Sequence, residues 1–214
     1  MVKTAVLVSG GGTNLQAIID ANLFGEIRNC ELTAVISSNP EAYAIERAKN
    51  AGIPVYIVER AIFPNRATFT KAMLDKLLDL EIELVVYAGF NFILDAPLIK
   101  AFENRIINIH PSLIPSFSGP GYYGLRVHEE VLAHGVKLTG ATAHFATEIV
   151  DAGPIIIQSA VPIEEDDTPD TLQRRVMEQA EWKILPEAIS LFCEGRLEVV
   201  GRIVKIHPID TAES

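Results

Sequence analysis

Positive charge is what this chain has least to spare. It sets 18 Lys and Arg against 28 Asp and Glu, a formal charge of -10 over 214 residues. That balance argues against general nucleic-acid binding, which needs a basic footprint. A small anionic substrate stays open, because backbone N–H groups and one or two local cations can hold a phosphate. Long apolar runs are also missing, and nothing approaches the ~20 residues that span a bilayer. The run after Met1 meets the glycines at 10–12 too soon to serve as a signal peptide. Cys30 and Cys193 are the only cysteines and have no metal-type spacing. The expectation is free thiols in a reducing cytoplasm. No repeat, low-complexity tract or linker divides the chain, so one domain over 1–214 is expected. With 49% apolar and 21% charged residues, its composition is that of a chain able to bury a substantial core.

Residues 4–8 are a continuous apolar run ending at Ser9 and three glycines, the pattern of a strand buried on both faces. Helical spacing follows over 13–24, with Leu15, Ile18, Ile19 and Leu23 on one side and Gly25 as a stop. Further strands are expected at 32–36, 54–58, 84–88 and 105–109. Between them lie helices at about 41–50, at 67–80 with Phe69, Met73, Leu77 and Leu80 inward, and after Asp95 and Pro97. This alternation predicts an α/β fold, a doubly wound and mostly parallel sheet with right-handed crossovers. After Ser112 the texture changes. A glycine-rich loop over 116–124 and a helix at 127–134 precede strands at 138–145 and 155–161, separated by a turn at 148–154. Residues 166–170 cap a long helix to Cys193, and 196–206 read as a hairpin. These are the antiparallel C-terminal additions.

The strand ending at Ile109 carries Asn108 and His110, two apart and so on one face of an extended chain. A carboxamide beside an imidazole can hold a carbonyl oxygen and move a proton. His110 alone would more often be structural, but the carboxyl end of a parallel strand is where open α/β sheets bind ligands. Asp151, in a Val-Asp-Ala-Gly-Pro turn, is by itself equally a turn former. Placed near His110, its carboxylate would favour the imidazolium and make a general acid. His128, His134 and His144 are read as structural or surface residues.

Ser9-Gly-Gly-Gly-Thr-Asn14 lies between first strand and first helix, where free N–H groups and the helix dipole attract an anion. It is an incomplete dinucleotide fingerprint, with Leu15 at the third glycine position and no acid in Ser37-Ser38-Asn39. It also lacks the Lys-Ser/Thr ending of a Walker motif. One phosphate, rather than NAD or ATP, is the expected ligand; a glycine turn serving only helix packing is the plainer alternative. Ala88-Gly-Phe-Asn-Phe-Ile-Leu94 reads either as core connection or as the wall of a cleft for a flat heterocycle.

Taken in order, Ser9–Asn14, Ala88–Leu94, Asn108-Ile-His-Pro-Ser-Leu-Ile-Pro-Ser116, Thr142-Ala-His-Phe145 and Asp151-Ala-Gly-Pro154 resemble the folate-dependent phosphoribosylglycinamide formyltransferases over almost the full chain. The resemblance implies a Rossmann-like formyltransferase fold, with 1–110 the nucleotide- and phosphate-binding half and 111–214 completing catalysis. It implies transfer of a formyl group from 10-formyltetrahydrofolate, a co-substrate, to the amine of glycinamide ribonucleotide, without metal. His110 then resembles the proton donor, Asn108 the group that polarises the formyl oxygen, and Asp151 the carboxylate that holds His110 protonated. Gly11, Gly12, Thr13 and Asn14 match the phosphate loop, and Glu181 the residue that meets the ribose. Arg66, Asn91, Phe92, Ile93, Leu94 and Asn108 match folate-holding positions, as do Thr147, Glu148, Ile149, Val150 and Asp151. The partners implied are small molecules, with no nucleic acid or membrane, for a cytoplasmic monomer or homodimer.

Two departures stand out. The loop 116–125 is longer than in the relatives, and Glu178 stands where some carry a phosphate-binding lysine. The alternatives are a formyltetrahydrofolate deformylase, expected to carry a further domain ahead of the catalytic one, and a non-catalytic nucleotide-binding module.

Overall fold

The structure, a computed structural model, describes residues 1–209. The first half runs β1 (Val2–Val8), α1 (Thr13–Leu23), β2 (Cys30–Ser37), α2 (Ala44–Asn50) and β3 (Val55–Ile57). It continues through α3 (Arg66–Asp79), β4 (Leu84–Tyr87), α4 (Ala96–Ala101) and β5 (Ile106–His110). The second half holds α5 (Leu125–Ala133), β6 (Leu138–Phe145), β7 (Ile155–Pro162), α6 (Pro169–Val176) and α7 (Trp182–Cys193). A hairpin of β8 (Leu197–Val200) and β9 (Ile203–Ile206) follows. One sheet takes all of these strands in the order β3-β2-β1-β4-β5-β6-β7-β9-β8. Strands β3, β2, β1, β4 and β5 are parallel. β6 then reverses direction, so the doubly wound sheet and its antiparallel additions are both present.

Two hydrophobic cores flank the sheet because its strands alternate. Val6, Val8, Ile107 and Ile109 pack with residues of α1, α2, α5, α6 and α7. Ala5, Leu7, Val85 and Ile106 pack with α3 and α4. Chain order reverses between β1 and β4, so the crevice at their carboxyl ends is the topological switch point where such sheets bind ligands. Ile107 and Ile109 serve the first core, which turns Asn108 and His110 to the α3–α4 side.

Four expected details differ. Leu23 is exposed, because the apolar stripe of α1 continues past the packing beneath it. α2 begins at Ala44 rather than near 41, since the Asn39 side chain accepts the Glu41 N–H in a local turn that competes with helix. Asp95 precedes α4 without a side-chain cap bond and pairs instead with Arg66. The long helix is capped within 166–170 as expected, by Thr168 in a reciprocal pair with Thr171, but does not run unbroken to Cys193. That helix is broken by a π turn over Met177–Glu181, a wider turn of the kind found at functional sites.

Candidate active site

The β5–β6 register sets Asn108 opposite His144 and His110 opposite Thr142, side chains on one face. Asp151 holds a left-handed φ of 54° in the turn after β6, and this bend carries its carboxylate back over the pair. Asp151 Oδ2 is 3.5 Å from His110 Nδ1 and Oδ1 is 3.8 Å from His144 Nε2, with all three side chains buried. The 116–124 loop closes over them. The Gly119 N–H donates to Asp151 Oδ2 at 2.9 Å, and His110 Nε2 donates to the Phe117 carbonyl at 2.9 Å. Beneath the loop, Thr142 Oγ1 donates to the Ser112 carbonyl at 2.7 Å and accepts the Ile114 N–H at 3.1 Å. Its foundation is therefore buried and hydrogen-bonded. The expected triad of Asn108, His110 and Asp151 is brought together.

Across the carboxyl edge, the glycine loop answers the packing question position by position. A Cβ on Gly12 would lie 2.6 Å from Ala44 Cβ, and its φ is 72°, so this glycine is needed for the approach of α2. Gly10 and Gly11 face open space, so packing does not explain them. The first N–H groups of α1 emerge there without helix partners. Asn14 Nδ2 donates to Glu181 Oε2 at 2.7 Å, and Thr13 Oγ1 reaches Met177 Sδ at 3.6 Å. Thus the π turn brings Glu181 to the loop. Burial pushes the Glu181 carboxyl up to about 7, opposed by the Asn14 bond, and Asn14 Oδ1 is buried without a partner. Glu178, in place of the lysine of some relatives, is taken by Arg174 at 2.8 Å.

The residues matched to folate positions divide between lining and scaffold. In 91–94, Asn91 and Ile93 are exposed, while Phe92 packs edge-on to Phe69 and Leu94 is buried. The Asn91 N–H donates to Ser9 Oγ at 3.1 Å, tying this segment to the glycine loop across the switch point. Arg66, ion-paired to Asp95, stands at the start of α3 beside it. In the 147–151 turn, Thr147 Oγ1 donates to the Ile149 carbonyl at 3.0 Å, Glu148 faces Lys100 at 3.6 Å, and Ile149 is exposed. Val150 is half-buried.

Sequence reading missed two residues, His144 and Arg47. His144, expected to be structural, meets Asn108 Nδ2 through Nε2 at 3.1 Å. A polar residue on the same face as Asn108 was the available signal, but only register reveals it. His128, read as structural or surface, is fully buried with neither ring nitrogen bonded, and burial, with His110 nearby, lowers it to about 4. Arg47 donates from Nε to the Gly11 carbonyl at 2.9 Å and from Nη1 to Gln16 at 3.1 Å, bracing the glycine loop with a cation. His134 is exposed on α5, as expected of a surface residue.

A carboxamide, a buried imidazole and a carboxylate lie together at the carboxyl edge of a doubly wound sheet, across from an open glycine loop, an arrangement suited to group transfer. Among the described residues, no cluster of His, Cys, Asp or Glu is placed to hold a metal ion, and no helix is long and apolar enough to cross a membrane. The formyl transferase family model matches residues 2–189. The chain is 41% identical to the phosphoribosylglycinamide formyltransferase of Haemophilus influenzae, over 93% of its own length and 91% of that protein. A crystal structure of glycinamide ribonucleotide transformylase 1 from Symbiobacterium toebii superposes with a TM-score of 0.91 at 45% identity, covering 97% of this chain and 95% of that one. The trifunctional purine biosynthetic protein adenosine-3 of Bos taurus is 42% identical over 94% of this chain, which spans 19% of that longer protein. The chain therefore belongs to the formyl transferase family and, within it, to the phosphoribosylglycinamide formyltransferases.

Proposed function

We propose that this chain transfers the formyl group of 10-formyltetrahydrofolate to the amine of N1-(5-phospho-D-ribosyl)glycinamide, as a step of purine biosynthesis. The observation that carries the reading is the junction of two half-sites at one sheet edge. The α1 side offers an open glycine loop and Glu181; the α3–α4 side offers 91–94 and the 147–151 turn; Asn108, His110 and Asp151 lie at that edge. In this reading the ribonucleotide phosphate takes the N–H groups from Gly11 to Asn14, and Glu181 receives the ribose hydroxyls. Asn91, Ile93 and Arg66 face the folate, with the 147–151 turn closing its other side.

The substrate amine adds its lone pair to the formyl carbon, and the carbonyl π pair moves to oxygen. An N–H of Asn108 stabilises the resulting oxyanion. The tetrahedral centre collapses, the C=O re-forms, the bond to folate nitrogen breaks, and that nitrogen takes a proton from His110, whose neutral imidazole is then replenished by the proton the former amine loses. Asp151 balances the imidazolium. Because His110 Nε2 donates to the Phe117 carbonyl, that bond must open before the proton is delivered from Nε2.

The test is His110→Ala. Turnover is expected to fall about 10²–10⁴-fold, the usual contribution of a general acid, with ribonucleotide affinity by calorimetry unchanged. Wild-type turnover in that variant would remove His110 from the reaction.

A further inference from the structure

The two contacts of the His144 ring determine which way round the Asn108 carboxamide stands. Nδ1 lies 3.0 Å from the carbonyl oxygen of Phe145. A carbonyl only accepts, so Nδ1 carries the ring proton. Burial works against a second proton and lowers His144 below the ordinary imidazole range, with the Phe145 carbonyl and Asp151 opposing and His110 reinforcing. The ring is neutral, with a bare lone pair on Nε2. That lone pair faces Asn108 at 3.1 Å, so the amide nitrogen, not the oxygen, is turned toward it. Asp151 Oδ1, 3.8 Å away, is too distant to bond and is itself an acceptor.

We propose that His144 is a positioning residue for formyl transfer, holding the Asn108 carboxamide in the one orientation that leaves its second N–H for the formyl oxygen. The proposal rests on the transfer reaction given above. Turned over, the carboxamide would set its oxygen against the lone pair of Nε2 and move its donors away from the place they occupy now. Strand pairing supplies the rigidity, because Asn108 and His144 are direct partners in the β5–β6 register. His144 touches neither reacting atom; it acts only through Asn108.

The first readout is nitrogen-15 NMR of histidine-labelled wild-type protein, with the His144 signals assigned by their loss in His144→Gln. The Nδ1-protonated tautomer is expected, and an Nε2-protonated ring overturns the proposal whether or not the protein transfers formyl groups. Wild type that transfers nothing while keeping the Nδ1 tautomer would instead overturn the reaction, and with it the role of His144 in it. The second readout is kinetic. His144→Leu, which removes the acceptor, should lower kcat about 10- to 100-fold, the scale of loss when a reacting group is misplaced by about 1 Å, with both KM values little changed. His144→Gln, whose oxygen can accept from Asn108, should recover most of that loss. In an Asn108→Ala background His144→Leu should cost little more, because its partner is already gone. Equal losses in both backgrounds, or a Gln variant as slow as the Leu variant, would contradict a role through Asn108.

Discussion

At the scale of single residues, the site places titratable groups where burial sets their charge. Glu181 is the clearest case, with an ordinary value of 4.5 raised to about 7 by burial. Below pH 4.5 the carboxyl is neutral both folded and unfolded, so burial costs nothing. Between pH 4.5 and about 7 the unfolded chain ionises while the folded carboxyl stays protonated, so stability falls by about 3 kcal/mol, at 1.36 kcal/mol per pH unit, and the loss is complete above 7. Glu181→Gln should therefore raise Tm at pH 8 and leave it unchanged near pH 4, while weakening ribonucleotide binding. Thermal melts at the two pH values check the first part and calorimetry the second; equal shifts at both would show that Glu181 is not destabilised by its charge. Asp151 is a different case, bracketed by His110, His144 and the Gly119 N–H. Its replacement by Asn keeps the shape but not the charge, and should lower kcat more than it raises either KM.

At the scale of elements, the glycine loop separates two roles that its sequence merges. Gly12→Ala meets both a positive φ and the α2 backbone, so a loss of about 2–4 kcal/mol is expected in denaturant unfolding. Gly11→Ala meets nothing within 4 Å. It should melt like wild type yet bind the ribonucleotide at least about tenfold more weakly, since a methyl there intrudes where a phosphate would approach the backbone. A Gly11→Ala protein with normal affinity would put the phosphate elsewhere. Most strands and helices were legible because buried parallel strands read as unbroken apolar runs and glycines mark their ends, as at Val2–Val8 and Thr13–Leu23. Asn108 and His110 stood out as candidates for the same reason, being polar intrusions at the end of such a run, whereas Asp151, alone in its turn, was singled out only by the resemblance. What was hidden depends on pairing or competition between neighbours. His144 needed the β5–β6 register, the late start of α2 needed the Asn39 turn, and the π turn over Met177–Glu181 has no periodicity of its own.

At the scale of the whole molecule, one sheet divides two cores, and each half-site leans on a different one. Phe69 is fully buried among Phe63, Phe90 and Phe92, the aromatic bed under segment 91–94, which is proposed to face the folate. Leu185, fully buried in α7, belongs to the core beneath Glu181. Phe69→Ala should cost about 3–5 kcal/mol and Leu185→Ala about 2–5 kcal/mol. At a temperature where both variants are folded, the first should raise chiefly the folate KM and the second chiefly the ribonucleotide KM. Initial-rate kinetics with each substrate varied distinguish this from a single undivided site, in which both KM values would move together.

The central claim is that these two half-sites serve one transfer. Its most direct measurement follows loss of the formyl group from 10-formyltetrahydrofolate, with and without N1-(5-phospho-D-ribosyl)glycinamide. Turnover that requires the ribonucleotide and forms one formylated product per folate released is the expected result. Equal turnover without it would mean that water is the acceptor and the protein a deformylase, and no turnover in either case would leave the edge of the sheet a binding site only.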